Sequence, residues 1–278
     1  MIFSHVMSRI AAVTEKARQE GNKLLIPYLV AGDPGLLETV KLMHALVANG
    51  ADVIELGIPF SDPASDGPII QRGAERSLAK GTTLIDSFEV VREFRQTDQA
   101  TPIVLMGYLN PIEIMGYETF VQNATKAGVD GVLVVDMPPA ESVELHGRLQ
   151  VAGIDTIYLV SPTTNADRAT SIAEYSSGYL YYISLKGVTG AALTDHESVR
   201  KNIEALRKLT DLPIVIGFGI KDGASARAMA ELSDGVVIGS ALVAKVAKLA
   251  GSEGISEEQI SITIAIIKEA RKEINKKL

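Results

Sequence analysis

At 278 residues the chain approaches the size of two ordinary domains, yet a single α/β barrel commonly takes about 250 residues, so one barrel domain over residues 1–278 is expected. Hydrophobic residues at 46% and charged residues at 22% supply a large core and exclude a disordered or fibrous chain. Lys and Arg total 27 against 34 Asp and Glu; the net charge of −7 argues against nucleic acid or anionic membranes as partners, and the lack of cysteine excludes disulfides, thiolate metal sites and cysteine nucleophiles.

In chain order, Met1 to Gly21 mixes Arg9, Glu15, Lys16, Arg18 and Glu20 with apolar residues, which reads as an extra N-terminal amphipathic helix and not as a secretion signal. No run approaches the roughly 18 apolar residues of a membrane span, and a cytoplasmic protein is expected. Short β-branched runs then recur at Leu24 to Val30, Asp52 to Leu56, Ile103 to Met106, Gly131 to Val135, Asp155 to Val160, Tyr179 to Ser184, Pro213 to Gly217 and Gly235 to Ile238. Helical spacing fills the gaps, as in Leu36, Val40, Met43 and Leu46 after the Asp33-Pro34-Gly35 turn, or Ile203, Leu206 and Leu209. Eight alternating units without a linker predict an α/β fold, a parallel sheet closed into a (β/α)8 TIM barrel. The last helix is announced by Ser256 as N-cap, Gln259 three residues on and an Ile255–Ile260 staple, with Ile260, Ile264 and Ile267 as its buried stripe.

Chemistry in such a barrel gathers at the C-terminal ends of the strands. If Ile54 and Leu56 pack under the helices, Glu55 points into the barrel, where lost solvation would raise its pKa toward the range useful for both donating and accepting a proton. A glutamate paired with lysine is the alternative. The next loop, Gly57 to Pro68, is stiffened by three prolines and carries Asp62 and Asp66; it lacks the ligands of a calcium loop, and no metal site is expected. Asp62 reads as a turn residue, Asp66 as a cap or a partner for a substrate N–H. Tyr181 can place a hydroxyl inside the barrel with Tyr179 on the same face, and Gly187-Val188-Thr189-Gly190 reads as a lid. Lys186 raises a Schiff-base possibility, although exposure suits its surroundings better. Gly217-Phe218-Gly219 and Gly239-Ser240 each end a late strand before a helix, where glycine N–H groups can surround phosphate, or simply permit tight turns. The four histidines fall in or at the starts of predicted helices, and Met106, Met115 and Met137 read as core filling.

The segments ELGIPFSDPASDGPIIQ (Glu55 to Gln71), GDP (Gly32 to Pro34), SLKGVTG (Ser184 to Gly190), GFGI (Gly217 to Ile220) and GSALV (Gly239 to Val243) together strongly resemble the tryptophan synthase α subunit family over essentially the whole chain. Ser65, where many members carry alanine, and Lys186, in a variable part of the lid, are the departures. The resemblance implies a carbon–carbon lyase that cleaves indole-3-glycerol phosphate to indole and glyceraldehyde 3-phosphate without a cofactor in this subunit. It implies Glu55 as general acid–base, Asp66 as partner of the indole N–H, Tyr181 beside the glutamate, and Thr189 as the lid contact to the aspartate. Gly190, Phe218, Gly219, Gly239 and Ser240 would then hold the phosphate, while Tyr28, Leu105, Tyr108, Leu133 and Val237 line the indole end. It further implies an αββα complex in which indole passes to a β subunit carrying pyridoxal phosphate, with Pro59, Asp62 and Asn110 at the partner face.

Overall fold

The computed structural model describes residues 7–183, 196–217, 219–251 and 254–276. Its strands are β1 (Leu24–Val30), β2 (Ile54–Gly57), β3 (Ile103–Gly107), β4 (Gly131–Val134), β5 (Asp155–Thr156), β6 (Tyr158–Val160), β7 (Leu180–Tyr182), β8 (Ile214–Gly217) and β9 (Gly235–Ile238). All pair in parallel in the order β5-β4-β3-β2-β1-β9-β8-β7-β6. The single fifth strand expected over Asp155 to Val160 is thus two pieces. Its backbone runs on through Ile157, whose N–H donates to Val132 O at 2.9 Å, while Tyr158 begins the pairing with Leu180. The ladder therefore passes from β4 to β7 and closes eight strands into the predicted (β/α)8 barrel.

The two-residue period of the strands separates two layers of core. Leu25, Ile54, Leu56, Leu105, Leu180, Tyr182 and Ile216 lie in the outer layer under the helices. Ile26, Tyr28, Val53, Val104, Leu133, Tyr179, Tyr181, Val215 and Val237 fill the interior. The N-terminal helix begins at Arg9, not Met1, because Ser8 caps it by accepting from Ala11 N–H at 3.2 Å; it ends at Glu20 before Gly21 at φ 69°. Residues 1–6 lie outside the described set. Its Ile10 is fully buried in the interior cluster beside Gly131 and Ile157, and so plugs the N-terminal end of the barrel.

The expected helix through Leu209 stops at Leu206, and Leu209 is exposed beyond it. The C-terminal helix Glu257–Ile274 has the predicted reciprocal cap, Gln259 N–H to Ser256 Oγ and Ser256 N–H to Gln259 Oε1, and buries Ile264 and Ile267. Its Arg271 reaches back to Asp52 and to the carbonyls of Gly50 and Lys23.

At the N-terminal end of the barrel, aspartates just ahead of strands accept an N–H at the start of a neighbouring strand: Asp52 from Leu25 at 2.7 Å, Asp130 from Ile103 at 2.8 Å, and Asp234 from Ile214 at 2.9 Å. Asp130 also holds Arg9 at 2.8 Å and the buried Arg95 at 2.6 Å. These groups serve stability, in keeping with the bottom face of such barrels. Asp130→Ala strands Arg95 without its carboxylate, and is expected to cost about 3–5 kcal/mol, read as a lower denaturant midpoint at unchanged slope.

Candidate active site

Glu55 is the buried carboxylate of the barrel interior, on β2 with Ile54 and Leu56 turned under the helices as the alternation requires. One oxygen, Oε1, accepts from Tyr179 Oη at 2.6 Å across the barrel; the other, Oε2, has no hydrogen-bond partner among the described residues. Burial pushes its carboxyl up to about 7, and the Tyr179 bond offsets only part of that rise. A glutamate poised there can give and take a proton near neutrality. Tyr179 was visible from sequence only as a residue on the face of Tyr181; which of the two reaches Glu55 depends on the curvature of the closed ring.

The two other interior tyrosines sit in glycine notches. A Cβ at Gly57 would stand 2.1 Å from Tyr28 Oη, and a Cβ at Gly217 would stand 2.0 Å from Tyr181 Oη. Gly217 thus makes room for a phenol. The helix after β8, Gly223–Ala230, is moreover capped by Asp222, which accepts from Ser225 N–H at 2.8 Å, so its positive end already has a carboxylate. By contrast the helix after β9, Ser240–Val246, has Gly239 at its N-cap and no side-chain cap. Its first intrahelical donors are Leu242 and Val243, to Gly239 O, which leaves the N–H groups of Ser240 and Ala241 ahead of the ladder at the barrel mouth. Gly219, at φ 71°, lies exposed at the neighbouring strand end.

Asp66 stands in a turn closed by its N–H to Pro63 O at 3.0 Å, and its carbonyl accepts from Gln71 Nε2 at 2.8 Å. Burial pushes its carboxyl above the usual carboxylate value, partly offset by a hydrogen bond from Tyr108. Tyr108 Oη also accepts Ser65 N–H at 3.1 Å, so the phenol joins the aspartate loop to the end of β3. Behind the loop, Arg76 of the helix Pro68–Leu78 clasps the buried Asp33 at 2.9 and 2.7 Å, which ties the Gly-Asp-Pro segment to the element carrying Asp66.

Leu133 and Val237 face the interior as expected, but Leu105 does not. Glu55 registers with Val104 on β3, so Val104 and Met106 share its inward face and Leu105 lies in the outer layer. Met106, read from sequence as plain core, therefore faces the interior on the side of Glu55. Pro59 is also corrected: it is buried, while Asp62 and Asn110 are exposed. Thr189, Gly190, Phe218 and Lys186 lie outside the described residues. No group of three His, Asp or Glu side chains suited to a metal occurs among the described residues. In a cavity of ≈ 420 Å³ at the opposite end of the barrel, Arg207 pairs with Asp234 at 2.9 Å and Lys23 donates to Ser233 O at 2.7 Å.

A parallel eight-stranded barrel with a buried glutamate of raised pKa inside and a second carboxylate in the loop after the same strand has the architecture of a barrel enzyme with groups fit for acid–base chemistry. The family model described as tryptophan synthase alpha chain matches residues 14–273, and the chain belongs to that family. It is 52% identical over 242 residues to the tryptophan synthase alpha chain of Marinobacter nauticus, covering 87% of this chain and 90% of the relative. The crystal structure of tryptophan synthase subunit alpha from Legionella pneumophila superposes with a TM-score of 0.89 at 42% identity, over 97% of this chain and 99% of that one. A chain of the tryptophan synthase complex from Pyrococcus furiosus superposes with a TM-score of 0.79 at 34% identity, over 90% and 98%. Among the described residues no helix is long and apolar enough to cross a membrane.

Proposed function

We propose that this protein is the lyase of its family and cleaves indole-3-glycerol phosphate to indole and glyceraldehyde 3-phosphate. The observation that carries the assignment is Glu55, buried, with one oxygen held by Tyr179 and the other unpartnered, at a pKa of about 7. Protonated Glu55 gives its proton to C3 of the indole, which places a positive charge on the ring nitrogen. Asp66, ionised, accepts the N–H bond there and stabilises that charge. The Glu55 carboxylate then takes the proton of the hydroxyl on the adjoining chain carbon. That carbon becomes a carbonyl, the carbon–carbon bond breaks, its electron pair restores the indole, and Glu55 ends protonated as it began. These steps call on no cofactor in this subunit.

Gly239 and Ser240, with Gly219, Phe218 and Gly190, hold the phosphate in this reading, and Thr189 meets Asp66. Leu133, Val237 and Met106 line the indole, and Tyr181 narrows the pocket beside Glu55. The chain 1–278 acts as one domain in the cytoplasm, paired with a β subunit that carries pyridoxal phosphate and takes up the indole in an αββα complex. The exposed Asp62 and Asn110 form the partner face. Tyr108, which bonds Ser65 and precedes the helix bearing Asn110, offers a route from that face to Asp66.

The deciding assay is indole release from indole-3-glycerol phosphate by the purified protein, with and without a tryptophan synthase β subunit. Slow release that accelerates with the partner supports both parts; none in either condition rejects the lyase. Asp62→Ala is expected to weaken the partner's stimulation several-fold while leaving basal release unchanged. Unaltered partner affinity and stimulation would remove Asp62 from the interface.

A further inference from the structure

Tyr28 lies on β1, in register with Glu55 of β2, and points into the same interior. One end of its side chain passes Gly239: a Cβ built there would stand 3.7 Å from Tyr28 Cβ and 3.8 Å from Cδ1. The other end, the hydroxyl, fills the notch of Gly57, which is two residues beyond Glu55 on the same face of β2 and so one step nearer the mouth. The ring thus spans from the strand end that offers free N–H groups to the strand that carries the acid–base glutamate. The side chain keeps a little solvent exposure, and its hydroxyl makes no hydrogen bond within the protein among the described residues.

We propose that the Tyr28 hydroxyl contacts the hydroxyl-bearing carbon chain of the substrate, between its phosphate and the bond that breaks, and does not serve the indole ring. The inference rests on the function proposed above. A substrate bound by its phosphate at Gly239 and by its reacting carbon at Glu55 must lay its three-carbon chain along Tyr28. That chain carries two hydroxyls, whereas the carbon face of the indole offers no acceptor for a phenol. Burial and the neighbouring Asp66 and Glu55 hold the phenol well above its ordinary pKa, so it remains a neutral donor. It keeps its proton throughout. As Glu55 removes the proton from the chain hydroxyl, the Tyr28 O–H donates to the oxygen that is becoming a carbonyl, a contact stronger in the transition state than in the bound substrate. This moves Tyr28 from the indole end to the chain and makes Gly57 its required neighbour.

The test is Tyr28→Phe, which keeps the ring and removes one atom. Turnover of indole-3-glycerol phosphate is compared with binding of an analogue in which an unsubstituted three-carbon chain joins indole to phosphate. The expected result is a kcat/KM about tenfold lower, mostly through kcat, with analogue Kd within about twofold of wild type. An unchanged kcat/KM would overturn the inference. So would an equal weakening of the analogue, since the hydroxyl would then support the pocket or the indole end. A wild-type protein that releases no indole, alone or with its partner, would instead overturn the underlying function, and this inference with it.

Discussion

Glu55→Gln is expected to reduce indole release by about 10³-fold while leaving the affinity for the hydroxyl-free analogue within a few-fold of wild type. The amide has the shape of the carboxyl and can still accept from Tyr179, so the pocket survives; what it loses is the proton that must reach C3 and return from the chain hydroxyl. More than a tenth of wild-type activity in this variant would remove Glu55 from the acid–base role. The same substitution has a signature in stability. A carboxyl whose folded pKa is raised from 4.5 to about 7 binds its proton more tightly in the folded state, so its stabilising effect is complete below about pH 4.5 and is lost as pH rises through 7. The loss amounts to about 3 kcal/mol. Glutamine does not titrate, so wild type should lose stability relative to Glu55→Gln between pH 5 and 8, measured by urea unfolding at each pH. Parallel curves would mean that Glu55 is not desolvated in solution.

Asp66→Asn is expected to lower kcat/KM by about 10²–10³-fold, because the amide can still accept the indole N–H but carries no charge to set against the one that develops on the ring nitrogen. Its second effect falls on the pH profile. The free enzyme needs Glu55 protonated and Asp66 ionised, which predicts a bell. The falling limb lies near pH 7 from Glu55, and the rising limb lies above the ordinary carboxylate value from Asp66. With asparagine at 66 the rising limb should vanish and the falling limb remain. A rising limb that persists would belong to another group and would leave Asp66 as a loop residue. Because Tyr108 bonds both this carboxylate and the backbone of Ser65, the loop should hold its shape in the variant, and a near-wild-type melting temperature serves as the control.

Much of this molecule was legible before any fold was known. The strand and helix alternation predicts the barrel because each half-buried helix needs a sheet face to cover, and the Ser256–Gln259 pair fixes a helix start by local hydrogen bonding alone. Glu55 could be turned inward from its two leucine-sized neighbours, since a single polar residue between Ile54 and Leu56 reveals the phase of its strand. The aspartate loop and the glycine-ended strands pointed to the mouth because prolines, turn residues and glycines act on their own backbone.

What the sequence left open depends on residues brought together from far along the chain. Ile103 to Met106 is apolar at every position, as strands buried on both faces are, so periodicity could not say that Met106 faces the barrel interior and Leu105 the helices; only the register with Glu55 does. Pro59 reads as exposed in a proline-rich loop and is buried by its neighbours. That Gly217 also makes a notch follows from Tyr181 arriving on the preceding strand, and Ile10 closes the barrel floor from a helix that precedes all the strands. Tyr179 reaches Glu55 across 124 positions of sequence, and closure of the ring is what removes water from that carboxyl. Residue types and local spacing thus determined the elements and the chemical vocabulary of the site. The pairing of its groups, and with it the proton affinity of Glu55, was decided by tertiary structure, because desolvation and cross-barrel hydrogen bonds exist only once the barrel is closed.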